Sequence, residues 1–518
     1  MPPLVGSFLH HPKIGIALCA MLLPSISVAQ TISRDRVTAA LPRLEEMINK
    51  VIRDGEVPGL SIAVVHGDEV VYLKGFGVRE AGKPDTVGAD TVFQIASLSK
   101  AVSSTVVAAL VSEGVTTWDA KIASLDPSFR LADPYPTSEV TIRDLFSHRS
   151  GLPGTAGDDL EDIGYDRTEI LRRLRLVPAS SSFRAGYSYS NFGLTEGAVA
   201  AVKPTGRAWE DVADEKLYRP LGMMSTSSRH ADFIARTDRA ALHIKADGAW
   251  VAKLQRDPDA QAPAGGVSST VRDLAQWMRL ELSNGMYGGK RLIAADALDQ
   301  THVPLMTRGN NPVTGAASFY GLGWNVEFGR YGLTWGHAGA FSLGARTVAT
   351  LFPKAGLGIV VLTNAFPTGI PEAVSDSFAD LVFDGEIKQD WVAPWNGAYS
   401  GLFGPAIAAA KTTYSASSSS TSPPLESTAY EGRFSNAFVG DAVVVNENGK
   451  LILKIGPAGI RAYVMRHFDR DLFLTYPDAE MPDKPSAVRF SIGPDGRASA
   501  IDIEMLDGNG LGTLQRAP

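Results

Sequence analysis

Ser97 and Lys100 stand three residues apart where the extended-looking run Thr91-Val92-Phe93-Gln94-Ile95-Ala96 gives way to a helical one, Ala101 to Ser112. On a helix opened by Ser97, positions i and i+3 share a face, so the lysine amine lies one turn from the serine hydroxyl. A serine hydroxyl is a useful nucleophile only when a base takes its proton, and an amine at this spacing can be that base without a histidine. The helix start adds unpaired N–H groups and the positive end of a dipole. Taken alone, the pair also fits a capping serine followed by a solvated first-turn lysine, so its chemistry depends on partners elsewhere in the chain.

Two stretches offer such partners. Tyr189-Ser190-Asn191 follows a Gly-containing turn, Phe183 to Ser188, and reads as a loop whose side chains face a cleft. Nearby positive charge favours a phenolate, which would make Tyr189 a general base beside Lys100. The Asn191 amide offers a donor and an acceptor to a substrate carbonyl. Trp335-Gly336-His337-Ala338-Gly339-Ala340 reads as a strand with a small-residue break, where another backbone can approach closely. His337 can donate to a substrate or hold the tyrosine, and the Ala340 N–H can join that of Ser97 around a developing oxyanion. Lys354-Ala355-Gly356 and Lys454-Ile455-Gly456 share the form of this third stretch, but the first reads as a turn and the second lies beyond a linker. His148 invites a Ser-His-Asp reading; the chain has no Gly-x-Ser-x-Gly elbow, so His148 is taken as structural.

These groups need a scaffold that joins distant parts of the chain. Residues 34–53 carry apolar positions at helical spacing, and Leu60 to Val65 and Glu69 to Leu73 read as strands around a His66-Gly67-Asp68 turn. Beta patterning returns at Gly332 to Trp335, Ala345 to Leu351 and Leu357 to Leu362, and Ala373 to Phe383 reads as a closing helix. Strands at both ends with helices between them predict one sheet built from both chain ends. A Ser- and Pro-rich stretch marks a linker over 401–428. The remainder, 429–518, alternates in short runs with an Asn448-Gly449 turn, as a small antiparallel β domain requires.

In type and order, Ser97-Leu98-Ser99-Lys100, Tyr189-Ser190-Asn191 and His337-Ala338-Gly339 match the Ser-x-x-Lys, Tyr-x-Asn and Lys/His-x-Gly motifs of the penicillin-recognising serine hydrolases. The chain resembles their class C beta-lactamase branch from about residue 34 to 390. Thr141 to Pro153, Pro220 to Met223 and Pro263 to Ser269 look like further landmarks of that family, and the tail resembles the small β domain often appended to such hydrolases. The resemblance implies an α/β (α+β) beta-lactamase/transpeptidase-like fold, an antiparallel sheet flanked by helices, over residues 30–400. It also implies a Ser97 acyl-enzyme, with Lys100 and Tyr189 moving protons and water releasing the acid. His337 stands where many beta-lactamases of this branch carry lysine, and an unperturbed histidine is mostly neutral near pH 7. Family members with histidine at this place include peptidases of the D-amino-acid type, so the resemblance moves the reading from beta-lactam hydrolysis towards a peptidase or amidase, including the type that cuts linearised microcystin. A carboxylesterase or weak beta-lactamase is the alternative within enzymes, and a penicillin-binding sensor without turnover the alternative outside them.

Composition narrows the partners. The 518 residues carry a net charge of −7 with no sustained Lys/Arg run, so a nucleic-acid partner is not expected and a small-molecule or peptide substrate is. Residues 1–29 read as a signal peptide: Lys13, an apolar run Ile14 to Leu23, and small residues before a cleavage expected after Ala29. A periplasmic or secreted protein follows, without a stable membrane span. The only cysteine, Cys19, falls in that leader, so no disulfide framework is expected. Metal ligands and cofactors are not expected either, because no His-Glu-x-x-His or Cys/His cluster occurs.

Overall fold

The computed structural model describes residues 32–415, 421–477 and 484–518. The leader expected over 1–29 and residues 416–420 of the expected linker lie outside the described residues. Helix α1 (Arg34–Arg53) is opened by Ser33, whose hydroxyl accepts from the Arg36 N–H at 3.3 Å. Its buried face is Val37, Leu44, Ile48 and Val51, the stripe that the sequence spacing predicts. The central block supplies α2 (Ser99–Ser112), α3 (Ile142–Phe146), α4 (Asp158–Asp162), α5 (Asn191–Val202) and α6 (Val271–Leu282). Helices α7 (Ile370–Phe383) and α8 (Val392–Thr413) follow the sheet.

That sheet is built from β1 (Gly59–His66), β2 (Glu69–Gly77), β3 (Met306–Asn310), β4 (Ala317–Tyr320), β5 (Asn325–Gly329), β6 (Gly332–Phe341), β7 (Ala345–Phe352) and β8 (Leu357–Thr363). Its order is β2-β1-β8-β7-β6-β5-β4-β3, antiparallel throughout. Pairing of Val64 with Ile359 joins the two chain ends, as the two blocks of β patterning require. Ile62 and Val64 pack with α1 and α7 on one face, while Ala63 and Val65 belong to the core on the other. Alternate residues thus serve two cores, which is why β1 reads as a continuous apolar run. Helix α2 is buried almost all round, from Ser99 to Leu110.

The C-terminal unit is one antiparallel sheet of β9 (Gly432–Asn436), β10 (Gly440–Glu447), β11 (Lys450–Ile455), β12 (Arg461–Val464), β13 (Arg466–Asp469), β14 (Leu472–Thr475), β15 (Ser486–Ile492), β16 (Ala498–Ile503) and β17 (Thr513–Arg516). In the order β12-β11-β10-β9-β17-β16-β15-β14-β13, the two edge strands are separated in sequence by Met465 alone, so the sheet curls nearly into a barrel. Asn448 and Gly449 both take positive φ, 54° and 80°, as a two-residue hairpin turn of this kind demands.

The structure corrects two local expectations. Within Thr91 to Ala96 only Phe93–Gln94 is a strand, and Ser97 does not begin the helix: it lies in a 3-10 turn, Ala96–Leu98, ahead of α2. Ala96 at φ 48° reverses the chain there, which periodicity does not reveal. The expected linker from 401 is helical to Thr413, because Ala406 to Ala410 is strongly helix-forming and continues α8. No helix among the described residues is long and apolar enough to cross a membrane.

Candidate active site

The turn that presents Ser97 is held against the sheet by backbone contact. A Cβ on Gly339 of β6 would stand 2.1 Å from the Ile95 carbonyl oxygen and 3.0 Å from the Leu98 nitrogen, so only glycine fits there. Thr347 of β7 donates to the same Ile95 carbonyl at 2.8 Å. A left-handed alanine costs on the order of 1 kcal/mol. The strain at Ala96 is tolerated because these contacts hold the turn from both sides. Strand β5 pairs with β6 only as far as Gly336, which leaves His337 to Phe341 without a strand neighbour on that side among the described residues.

Lys100 is fully buried, and its amine donates to Ser97 Oγ at 3.1 Å, Asn191 Oδ1 at 2.7 Å and the Ala264 carbonyl at 3.0 Å. It also lies 4.5 Å from the centre of the Tyr189 ring. Burial pushes its pKa down from the usual lysine value to about 7, with Asp158 opposing the shift. Near neutral pH much of Lys100 is therefore a free amine whose lone pair can accept the Ser97 proton. Tyr189, hydrogen-bonded to Ser97, is pushed the other way: burial raises its pKa, and the Ser97 bond offsets little of that. The phenolate expected from neighbouring cations is thus not favoured, because desolvation of the anion outweighs the charges around it.

The Tyr189 loop is fastened by Asp144, which is fully buried at the start of α3. Its carboxylate accepts from Arg149 Nε at 2.7 Å and Arg184 Nη2 at 2.7 Å, and closes a capping box with Thr141. These ion pairs tie the chain on either side of His148 to the chain leading into Tyr189. His148 accepts from the Ser190 N–H at 3.1 Å and packs against Tyr189 and Tyr320, ring centres 4.5 and 4.9 Å away. It stays neutral because burial and the nearby Lys100, His337 and Arg308 all disfavour its cation. The structural role expected for His148 is thus a specific one: it braces the loop.

His337 and Asn191 sit in the site but in other roles than expected. Nδ1 of His337 faces the Ala338 carbonyl at 2.7 Å, an oxygen that can only accept, so this nitrogen carries the proton. Nε2 then accepts from the Tyr320 hydroxyl at 2.9 Å. Both ring nitrogens are engaged, and burial lowers the pKa to about 3, so His337 presents neither a free donor nor a cation to substrate. The tyrosine it holds is Tyr320, not Tyr189. Asn191 turns its oxygen to Lys100, and its Nδ2 donates to the Asp158 carboxylate at 3.2 and 3.3 Å. It bridges an amine and a carboxylate rather than offering its amide to a substrate carbonyl.

The cleft above these groups has a volume of about 1140 Å³ and is lined by Ser97, Tyr189, His337 and Ala340, with Tyr187 and Arg308 further along. Arg308, hydrogen-bonded to Asn325 Oδ1 at 2.7 Å, brings a guanidinium to it. Sequence reasoning missed Asp158, Tyr320 and Arg308. Asp158 stands in the acidic run Asp158-Asp159-Leu160-Glu161-Asp162, whose ordinary reading is a solvated face, and nothing local separates Tyr320 or Arg308 from other strand residues.

Comparisons with known proteins bear on the family and the fold. The family described as "Beta-lactamase" matches residues 44–381, and a "Domain of unknown function (DUF3471)" matches 416–511. The chain is 26% identical over 490 residues to the unguisins hydrolase ungD' of Aspergillus campestris, covering 88% of each chain. It is 24% identical to the D-alanyl-D-alanine-carboxypeptidase/endopeptidase AmpH of Escherichia coli, over 73% of this chain and 97% of that one. In fold it is similar to the octameric penicillin-binding protein homologue from Pyrococcus abyssi, at a TM-score of 0.57 and 18% identity over 90% of this chain and 98% of the other. With the family match spanning most of the chain and the serine, lysine and tyrosine meeting in one cleft, this protein belongs to the beta-lactamase family of serine hydrolases.

Proposed function

We propose that the protein is an exported hydrolase that cuts a peptide or other amide bond through an acyl-enzyme on Ser97. The observation that carries this reading is the buried Lys100 amine, 3.1 Å from the Ser97 hydroxyl. Ser97 Oγ attacks the carbonyl carbon as its proton passes to Lys100, and the N–H groups of Ser97 and Ala340 face the oxyanion. Tyr189 then delivers a proton to the leaving nitrogen and takes its replacement from the Lys100 ammonium, so both groups return to their starting forms, and water releases the acid by the reverse path. Three features favour an extended peptide over a beta-lactam: the roughly 1140 Å³ volume of the cleft, the unpaired edge of β6 for strand-like pairing, and the lack of a cation at His337. The peptidase name of the AmpH relative supports the same choice. A linear peptide of the kind cut by linearised-microcystin peptidases is its narrowest form.

The test is intact mass after a fluorophosphonate reagent, followed by turnover of a peptide p-nitroanilide, a p-nitrophenyl ester and a chromogenic cephalosporin. An adduct on Ser97 with the anilide cleaved and the cephalosporin left nearly intact is the expected result. Cleavage of the cephalosporin alone would sink the peptidase reading, and an adduct with no turnover of any substrate would favour a penicillin-binding sensor.

A further inference from the structure

The acidic helix α4 connects the active site to the C-terminal domain. Gly157, at φ 91°, starts it where a Cβ would collide with Ile170 and Phe192, so its first residue is seated beside α5. Asp158, that first residue, receives both hydrogen bonds from Asn191 Nδ2, and Asn191 Oδ1 receives one from Lys100. The groups around Lys100 are Asp158 from α4, Tyr189 from the loop, His148 beside it and His337 from β6; those around Asp158 are Glu161, Arg256, Asn191 and Lys100. Burial and the neighbouring Glu161 raise the pKa of Asp158 to about 7, and in its ionised form it is the carboxylate that favours the Lys100 ammonium.

The other end of α4 is held from outside the hydrolase domain. Arg461 of β12 donates to the Asp162 carbonyl at 3.1 Å, and the Tyr165 hydroxyl donates to the Val439 carbonyl at 2.8 Å. Arg173, stacked 4.0 Å from the Tyr165 ring, donates to Phe438. Gly456 passes so close that a Cβ would stand 2.0 Å from the Ile163 carbonyl oxygen, while Gly440 leaves room for the Tyr165 hydroxyl. Ile163, fully buried, joins the core that both domains share. One end of this five-residue helix is therefore gripped by the β domain, and the other is hydrogen-bonded to the lysine's own partner.

We propose that Asp158 is a positioning residue that keeps Asn191 and Lys100 aligned on Ser97, and that the C-terminal β domain holds Asp158 in place through residues 162–165. The proposal rests on Ser97 and Lys100 forming the nucleophilic pair, but not on the identity of the substrate.

The experiment uses the full chain and follows the second-order rate of Ser97 labelling by a fluorophosphonate across pH 5 to 9. Asp158→Asn keeps an oxygen for Asn191 but removes the charge, so labelling is expected to fall about 10- to 100-fold from misalignment. Its acid limb should move to lower pH, since an ammonium that loses the carboxylate beside it is easier to deprotonate. The double variant Tyr165→Phe/Arg461→Ala touches nothing in the cleft; it should move the limb in the same direction by less, with helical content unchanged. An unmoved limb in Asp158→Asn overturns the role of Asp158. A moved limb there with a wild-type profile in the double variant overturns the role of the β domain. No labelling of the wild-type chain would instead overturn the acyl-enzyme reading itself, so the two failures are distinct.

Discussion

Replacing Ser97 with alanine is expected to lower amide and ester turnover on the order of 10⁴- to 10⁶-fold while the protein stays folded. The size follows from the chemistry: no other hydroxyl occupies the end of the Lys100 hydrogen bond, and an acyl-enzyme cannot form without that oxygen. Little stability is lost, because Lys100 keeps Asn191 and Ala264 as acceptors after the hydroxyl is gone. A melting temperature within about 2 °C of wild type is expected for so small a change in a chain of this size. The check is a paired measurement of turnover and thermal melting, with the fluorophosphonate adduct absent from the intact mass. Turnover near the wild-type level would place the nucleophile elsewhere.

The second large effect is carried by Lys100. Its pKa of about 7 predicts an acid limb of kcat/KM with a midpoint near pH 7: the ammonium below it is inactive and the amine above it active. Lys100→Gln should lose about 10²- to 10⁴-fold in rate, the usual contribution of a positioned base, and should lose that limb as well. Loss of rate with the limb intact would assign the limb to another group. Stability follows with a definite sign. The folded pKa lies below the ordinary lysine value, so the unfolded chain holds more protons between about pH 7 and pH 10.5. The contribution of Lys100 to stability accordingly rises with pH across that window, and its burial penalty is fully present below it.

Both predictions start from a pair that is legible in the chain, and their magnitudes come from surroundings that are not. The i, i+3 spacing of Ser97 and Lys100 is local, and it survives in the structure although a 3-10 turn replaces the expected helix start. Helix α1, the hairpin of β1 and β2, and the return of β6 to β8 follow from periodicity, because an apolar stripe must face a core. Alanine-rich sequence misled in one place: the stretch leading to Thr413 reads as linker by its neighbours and folds as helix by its own propensity. Asn191 and His337 lie beside Lys100 and the cleft, but their polar atoms are engaged within the protein rather than open to substrate. Each has its polar atoms taken by a residue distant in sequence or hidden in a strand: Asp158 and Lys100 for one, Tyr320 for the other.

The sequence by itself determined that a serine and an amine share one turn, that a tyrosine and a histidine motif follow in family order, and that a β unit ends the chain. Those are properties of residue type, spacing and order, which do not depend on solvent. Only the tertiary structure decided which group holds the proton. Burial of Lys100 moves it towards the free amine, burial of Tyr189 keeps the phenol, and the Ala338 carbonyl fixes the His337 tautomer. Proton affinities depend on desolvation and on charges brought together by folding, and Asp158, drawn out of an acidic surface-like run to face Asn191 and raised by burial to about 7, is a clear case.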